Sequence, residues 1–336
     1  MLKEAIHKLA AKESLTREEM HASLDALLRP DASPALAAAW LLGLRMKGET
    51  PDEIAAAVDA LRSRAEIVRV ADPDALDTCG TGGDGASTFN ISTTAAFVVA
   101  GAGATVAKHG NRAISSLSGS ADVLGALGVN LEATIEQLQN VIDRERIGFL
   151  FAQRHHPAMR HLGPVRRELG LRTILNLIGP LSNPANVRRQ LMGIYDGRLV
   201  ETVAKTLALL GAKHAWVVHG SGGLDEISLA GETSVAEVRD GRIRMFTVTP
   251  EDAGLPRADL AALRGGDALE NARILSSILR DEAGPRRDAV VLNAAAALVV
   301  AGKAGDLREG AALAAEAIQS GAALSRLEAL VAAMPA

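Results

Sequence analysis

At 336 residues the chain is long enough for two domains or one large α/β domain with a substantial core. A formal net charge of −4 gives no global electrostatic case for nucleic acid or an anionic membrane, although a local basic pocket stays open. The single cysteine, Cys79, excludes an intramolecular disulfide and fits a reducing compartment. Hydrophobic residues make up 48% of the chain but aromatics only 2%, so the core has to be built from Ala, Leu, Val and Ile, a mixture that favours helix. The charged, amphipathic start MLKEAIHKLAAKESL has no apolar signal core. The longest apolar run, residues 289–302, is too short to span a bilayer and is broken by Asn293. A cytoplasmic protein with no membrane and no nucleic-acid partner is expected.

The first 70 residues read as four helices. Leu2, Ile6, Leu9 and Ala10 recur at helical spacing, and Thr16 to Glu19 form a capping-box pattern opening a helix through Leu28. Ser33-Pro34 pairs an N-cap with proline at the first helical position, and Thr50 to Glu53 repeats both devices for a helix to about Arg64. Few of their polar groups invite chemistry; such a bundle suits structural or interface work.

The sequence changes character at Asp72-Pro73. DTCGTGGDGASTFNISTTAAFVVAGAGATVAKHGN, residues 77 to 111, predicts a strand, a glycine loop, a small-residue helix and a second strand over Thr105 to Ala107. GTGGDG can bring bare N–H groups to a ligand, and such a loop feeding a helix N-terminus suits a phosphate. Tight turns are the plainer reading, but the Lys108–Arg112 cluster one strand later favours an anion. The loop matches G-x-G-x-x-G at Gly80, Gly82 and Gly85, yet no acid follows at ribose-binding distance, and no Gly-Lys-Ser/Thr closes a phosphate loop of the Walker kind. Asn90 or Ser92 is a candidate helix cap; the hydroxyls there could equally meet phosphate or a metal. Cys79 reads as a small buried hydrophobe. SSLSGSAD, with Ser115, Ser116, Ser118 and Ser120, precedes a helix from about Asp122.

Thr134 and Gln137 restart a helix, and Gly148 to Ala152 could be a short strand. His155, His156 and His161 lack the carboxylate or cysteine that would complete a zinc set, so they are not assigned a metal. Arg160, Arg166, Arg167 and Arg172 could grip a carboxylate or form a solvated face. Asn176, Gly179-Pro180 and Asn183-Pro184 predict an irregular, pocket-lining loop. Gln190 to Tyr195 and Ala215 to His219 read as strands with a helix near 198–210 between them, which argues a parallel sheet with helical crossovers. HGSGGLDEIS follows, and Asp225-Glu226 at a strand end is a candidate Mg²⁺ site if a phosphorylated substrate brings further oxygens. Residues 234–239 and 242–248 flank Asp240-Gly241, a hairpin signal, and helices fill about 268–281, 287–301, 306–320 and 322–333.

The blocks DTCGTGGDG, FNIST, VAKHGNRAISSLSGSADVL, RTILNLIGPLSNP and HGSGGLDEIS, with the GG-x-x-x-EN-A element at Gly265 to Ala272, stand in one order and spacing that resembles the anthranilate phosphoribosyltransferase family over nearly the whole chain. The resemblance implies transfer of phosphoribose from 5-phosphoribosyl 1-diphosphate (PRPP) to anthranilate in tryptophan biosynthesis, with Mg²⁺ as cofactor and no fused glutamine-amidotransferase segment. It implies an α/β fold with a small helical domain: residues 1–70, joined by helical segments from about 132–172, and an α/β catalytic domain over 74–336 with a mainly parallel sheet, as in nucleoside phosphorylases. A homodimer through the helical parts is expected. Carried over position by position, Gly80, Gly83, Asp84, Thr88, Asn90, Ile91, Ser92 and Thr93 would hold PRPP. So would Lys108, His109, Gly110, Asn111, Arg112, Ala113, Ile114, Ser115, Ser116 and Ser120. Gly80, Asn111 and Arg166 would contact anthranilate, and Ser92, Asp225 and Glu226 would bind Mg²⁺. Lys108 is the expected catalytic charge; whether His109 acts as a base or holds the loop stays open. Cys79 and Leu175 stand where Val/Ile and Phe are expected, and both read as packing changes. The alternatives are a pyrimidine-nucleoside phosphorylase and a non-catalytic, nucleic-acid-binding homologue.

Overall fold

The computed structural model describes residues 1–113 and 117–335. Four helices come first: α1 (Leu2–Ala10), α2 (Arg17–Leu27), α3 (Pro34–Lys47) and α4 (Pro51–Arg62). The expected caps at Thr16 and Thr50 form as reciprocal capping boxes with Glu19 and Glu53, satisfying two otherwise orphaned N–H groups at each helix start. Trp40, Leu41 and Leu44 of α3 and Ile54 of α4 are buried, closing a small apolar core.

The α/β part follows as β1 (Leu76–Gly80), α5 (Ile91–Gly101), β2 (Val106–Gly110), α6 (Ser120–Ala126), α7 (Ile135–Glu145), β3 (Ile147–Phe151), α8 (Ala152–His155), α9 (Gly163–Leu169), α10 (Ile174–Leu181), β4 (Arg189–Gly193), α11 (Val200–Leu209), β5 (His214–Gly220), β6 (Thr233–Arg239), β7 (Arg242–Val248), α12 (Ala268–Leu279), α13 (Pro285–Ala301), α14 (Leu307–Gln319) and α15 (Ala322–Ala333). One sheet has the order β3-β2-β1-β4-β5-β6-β7. Its first five strands are parallel, and β6 and β7 add the expected antiparallel hairpin. All five parallel strands therefore end at one edge, where open α/β sheets bind ligands.

The period-2 alternation of strand side chains separates two cores. Leu76, Leu191, Trp216 and Val218 face the layer of α5, α7 and α12 to α15. Cys79, Met192, Ala215 and Val217 face α10, α11 and the N-terminal helices. Helix α13 is buried along residues 289–301 and packs on β1, β4, β5, α5 and α14. The stretch 132–172 divides: α7 packs on β3 and α15, whereas α9 packs on α3 of the helical bundle.

Three local expectations are corrected. Residues 174–181 form a helix instead of a loop, because Ile174, Leu177, Ile178 and Leu181 present an apolar face to α3 and α4, and Pro180 falls in the last turn where little continues beyond it. Strand β2 runs on to Gly110, so Lys108 and His109 lie within the strand and not beyond it. Helix α6 starts at Ser120, two residues early, since the Asp122 carboxylate accepts from the Gly119 N–H at 2.9 Å and closes its first turn.

Candidate active site

The site lies at the carboxyl edge of the sheet, and the close approach of one acidic loop to the strand ends defines it. Residues 224–227, just after β5, lie directly against the ends of β1 and β4. A Cβ on Gly193 would overlap the Asp225 carbonyl, and one on Gly80 would meet the Asp225 carboxylate, so only glycine lets the loop settle there. Asp225 Oδ2 accepts from the Gly82 N–H at 2.6 Å, tying the acidic loop to the glycine loop. Gly82, Gly83 and Gly85 take positive φ, as their sequence cluster implies. Within this loop Asp84 Oδ1 accepts from the Ala86 N–H at 3.1 Å, while Asp84 Oδ2 is buried with no hydrogen-bond partner among the described residues.

The N-terminus of α5 forms the second wall. Asn90 occupies the N-cap position but its side chain does not cap, contrary to expectation. It is recruited elsewhere: Nδ2 donates to the Ser118 carbonyl at 3.3 Å, and Oδ1 accepts from Asn271 Nδ2 at 2.9 Å. The first-turn donor of Ser92 instead meets Glu226 Oε1 at 3.1 Å, a carboxylate on the positive end of the helix dipole. Ile91 and Thr93 are buried behind this turn, and Thr88 bridges to Arg264 ahead of it.

Lys108, 3% exposed, reaches across from β2: its Nζ donates to the Thr78 carbonyl and lies 3.4 Å from Ser92 Oγ. His109 is buried, its N–H donates to Asp77 Oδ1 at 3.0 Å, and its ring packs edge-on to His156 at 5.3 Å. Burial holds the His109 imidazole neutral, well below its usual range, with His156 and His155 adding to the effect. His155 and His156 bond the carbonyls of Glu66 and Ser182 at 2.8 and 3.0 Å. Gly110 packs against Phe149 and Ser120. Asn111 accepts from Gln153 Nε2 at 3.3 Å, and Arg112 pairs with Asp122 at 3.0 Å, whose other oxygen accepts from the Ala113 N–H. Ile114, Ser115 and Ser116 lie outside the described residues. Arg166 sits apart on α9, half-buried, its guanidinium pKa lowered by burial, and no carboxylate pairs with it among the described residues.

The electrostatics single out three carboxylates. Burial raises the pKa of Asp225, with the negative field of Asp84 adding to it, and burial beside Asp225 raises that of Glu226. Asp77 is pushed up to about 6 by complete burial. Lys108 opposes the shift at both Asp77 and Glu226, so the field of its ammonium reaches both carboxylates. Adjacent acids of this kind, one buried and one half-buried, call for a cation. Among the described residues no group of three His, Cys, Asp or Glu side chains could cage a metal alone. The set therefore fits an ion that takes one or two carboxylates and completes its shell with substrate oxygens and water, as Mg²⁺ does.

Sequence reasoning missed the supports. Asp77 and Asn183 lie under the Lys108 strand, Gly193 admits the acidic loop, and Asn271 holds Asn90. Asn293, deep in α13, brackets the acidic loop, accepting from the Ile227 N–H at 2.9 Å and donating to its carbonyl at 3.0 Å. Asp77, Asn183 and Asn271 stand within the sequence blocks singled out beforehand, with no role assigned to them there, whereas Gly193 and Asn293 carried no functional signal.

A helical bundle beside an α/β domain, with glycine loop, lysine and paired acids at one sheet edge, defines a glycosyl-transferase architecture. Two family models match accordingly: the helical bundle domain of the glycosyl transferase family over residues 3–65, and its a/b domain over 72–324. An anthranilate phosphoribosyltransferase of Anaeromyxobacter dehalogenans is 58% identical over 99% of this chain and 98% of its own. One from Rhodopseudomonas palustris is 54% identical over 98% and 97%. The crystal structure of the Thermus thermophilus enzyme superposes with a TM-score of 0.93 at 47% identity, covering 98% of each chain. That of the Saccharomyces cerevisiae enzyme in complex with PRPP and Mg gives 0.91 at 30%, covering 99% of this chain and 97% of that one. The chain belongs to the anthranilate phosphoribosyltransferase family.

Proposed function

We propose that this protein transfers phosphoribose from PRPP to the amino group of anthranilate, releasing pyrophosphate, as a step of tryptophan biosynthesis. The observation that carries the reading is the convergence, at one sheet edge, of the glycine loop, the α5 N-terminus, Lys108 and the Asp225–Glu226 pair, which matches a diphosphate and its divalent ion. In the reaction the anthranilate nitrogen bonds to C1 of the ribose, the C1–O bond breaks, its electron pair leaves with pyrophosphate, and the nitrogen sheds a proton. Bound Mg²⁺, held by Asp225 and Glu226 with Ser92 alongside, would supply charge neutralisation at the leaving group. Lys108 adds a fixed positive charge, and the N–H groups of the glycine loop and the start of α5 add oriented donors. The aniline nitrogen is already neutral at pH 7, so positioning contributes more than a base. His109 fits a structural role better, because its ring is buried, neutral and packed on His156.

Gly80, Gly83, Asp84, Thr88, Asn90 to Thr93, Lys108 to Ala113 and Ser120 are proposed to hold PRPP, with Asn111, Gly80 and Arg166 around anthranilate. Arg166 is half-buried and has no carboxylate partner among the described residues, as a guanidinium reserved for a ligand carboxylate would be. The division into a helical part, α1 to α4 with α9 and α10, and an α/β part follows the packing above. Pairing of two copies through the helical part fits the exposure of Met46, at 75%, and Leu42 on α3. The described residues contain no helix long and apolar enough to cross a membrane, and a cytoplasmic location is proposed.

Loss of anthranilate fluorescence on adding PRPP and Mg²⁺ tests the reaction. Nucleoside phosphorolysis or DNA retention without that loss would reject it. Arg166→Ala should chiefly raise the KM for anthranilate by about 10-fold or more; a rise in the KM for PRPP instead would remove Arg166 from the acceptor pocket.

A further inference from the structure

Strands β1 and β2 are hydrogen-bond neighbours at their start and then part. Their register holds Leu76 opposite Val106, whereas β1 pairs with β4 from Leu76 to Gly80 and β2 pairs with β3 from Val106 to Gly110. Past the first pair, backbone groups facing the gap are met by side chains. The Thr78 carbonyl accepts from Lys108 Nζ, the His109 N–H donates to Asp77 Oδ1 at 3.0 Å, and the Ala107 carbonyl accepts from Asn183 Nδ2 at 2.8 Å. The same Nδ2 donates to Asp77 Oδ2 at 2.8 Å, and the Ala185 N–H donates to Asn183 Oδ1 at 2.8 Å, which fixes the end of the amide that faces Asp77. Asp77 is fully buried and Asn183 is 1% exposed.

A regular ladder would satisfy the same backbone at no cost in buried charge, so the opened seam is an expensive arrangement of the kind that accumulates at functional sites. We propose that Asp77 is a positioning residue for Lys108, with Asn183 as its holder, the pair wedging β1 from β2 so that the ammonium lies across the gap and faces the leaving group. This rests on the role given above to Lys108. The wedge also divides the lysine's attraction. Its ammonium lies 3.4 Å from Oγ of Ser92, whose own N–H donates to Glu226, and loss of the Asp77 charge tips the balance toward Glu226. The lysine then pairs with a proposed metal ligand and is withdrawn from the substrate.

A double-mutant cycle tests the proposal, with turnover and calorimetric binding of magnesium pyrophosphate as parallel readouts. Asp77→Asn keeps the volume, removes the charge and turns one of the two acceptors into a donor, so one of the hydrogen bonds from His109 and Asn183 is lost with it. It should remain folded by circular dichroism, lose about 10- to 100-fold in kcat with the KM for anthranilate unchanged, and weaken pyrophosphate binding. Asp77→Asn combined with Lys108→Ala should be no slower than Lys108→Ala alone, because the aspartate acts through the lysine. Losses that multiply would overturn the proposal. Asn183→Ala in the same cycle gives an independent answer if Asp77→Asn does not fold, and failure of both to fold would assign the pair to the scaffold alone. Wild-type protein that binds magnesium pyrophosphate but leaves anthranilate unconverted would refute the reaction, and the binding cycle would still decide the role of Asp77.

Discussion

The two seams that flank β1 are built on opposite plans. Toward β4 the backbone ladder is complete, and glycine at the strand ends leaves space for the acidic loop to sit against the sheet. Toward β2 the ladder stops after its first pair, and Asp77, Lys108 and Asn183 take over the exposed backbone groups. One side achieves its geometry by removing side chains, the other by inserting them. The acidic, cation-seeking half of the site stands on the closed seam, and the cationic lysine stands in the open one. Opposite charges are thus held on separate supports.

The largest expected effect comes from the closed seam. Gly193→Ala places a methyl group where the Asp225 carbonyl lies, so the loop has to move by about an ångström or more, and displacements of that size cost on the order of 10²-fold. Turnover should fall beyond that, with weakened Mg²⁺ dependence; near-normal activity would show that the loop does not need its seat. On the open seam Lys108→Ala should lose on the order of 10²-fold in turnover, as for removal of one charge-stabilising donor. Retained turnover would take the lysine out of the chemistry.

A smaller effect tests the layer beneath. Burial lowers the pKa of His156 to about 4, and the ring bonds the Ser182 carbonyl next to Asn183. A histidine held neutral in the fold takes up protons first in the unfolded chain, so its contribution to stability is present at neutral pH and lost as pH falls from the unfolded value of 6.5 toward 4. Measured as the difference between wild type and His156→Gln, which cancels the opposing raised carboxylates, the loss should approach about 3 kcal/mol by pH 4. A difference that does not change with pH would mean that the imidazole is solvated.

What the sequence showed, and what it hid, follows the same division. Features whose partners are local could be read: the capping boxes at Thr16, Thr50 and Thr134, the hairpin at Asp240-Gly241, and the glycine loop before α5. Asp225 and Glu226 could be placed because they follow a strand whose end had to lie at the same rim. Asp77 could not, since its partners His109 and Asn183 stand 32 and 106 residues away and a lone acid in a strand carries no mark of either. Gly193 closes a strand like many glycines, and its necessity exists only once Asp225 lies against it. The 174–181 helix was hidden by Gly179-Pro180, whose turn-forming chemistry masked an apolar spacing that packing on α3 and α4 makes decisive.

Helix α13 has one more consequence. Its segment 289–301 is buried, and Asn293, a polar side chain 1% exposed, grips both backbone groups of Ile227, beside the acidic pair. The anchor of the acidic loop is therefore part of the same cooperative unit as the central core, where local opening requires disruption of buried packing. That loop is the anvil of the site, seated on the central core through Asn293.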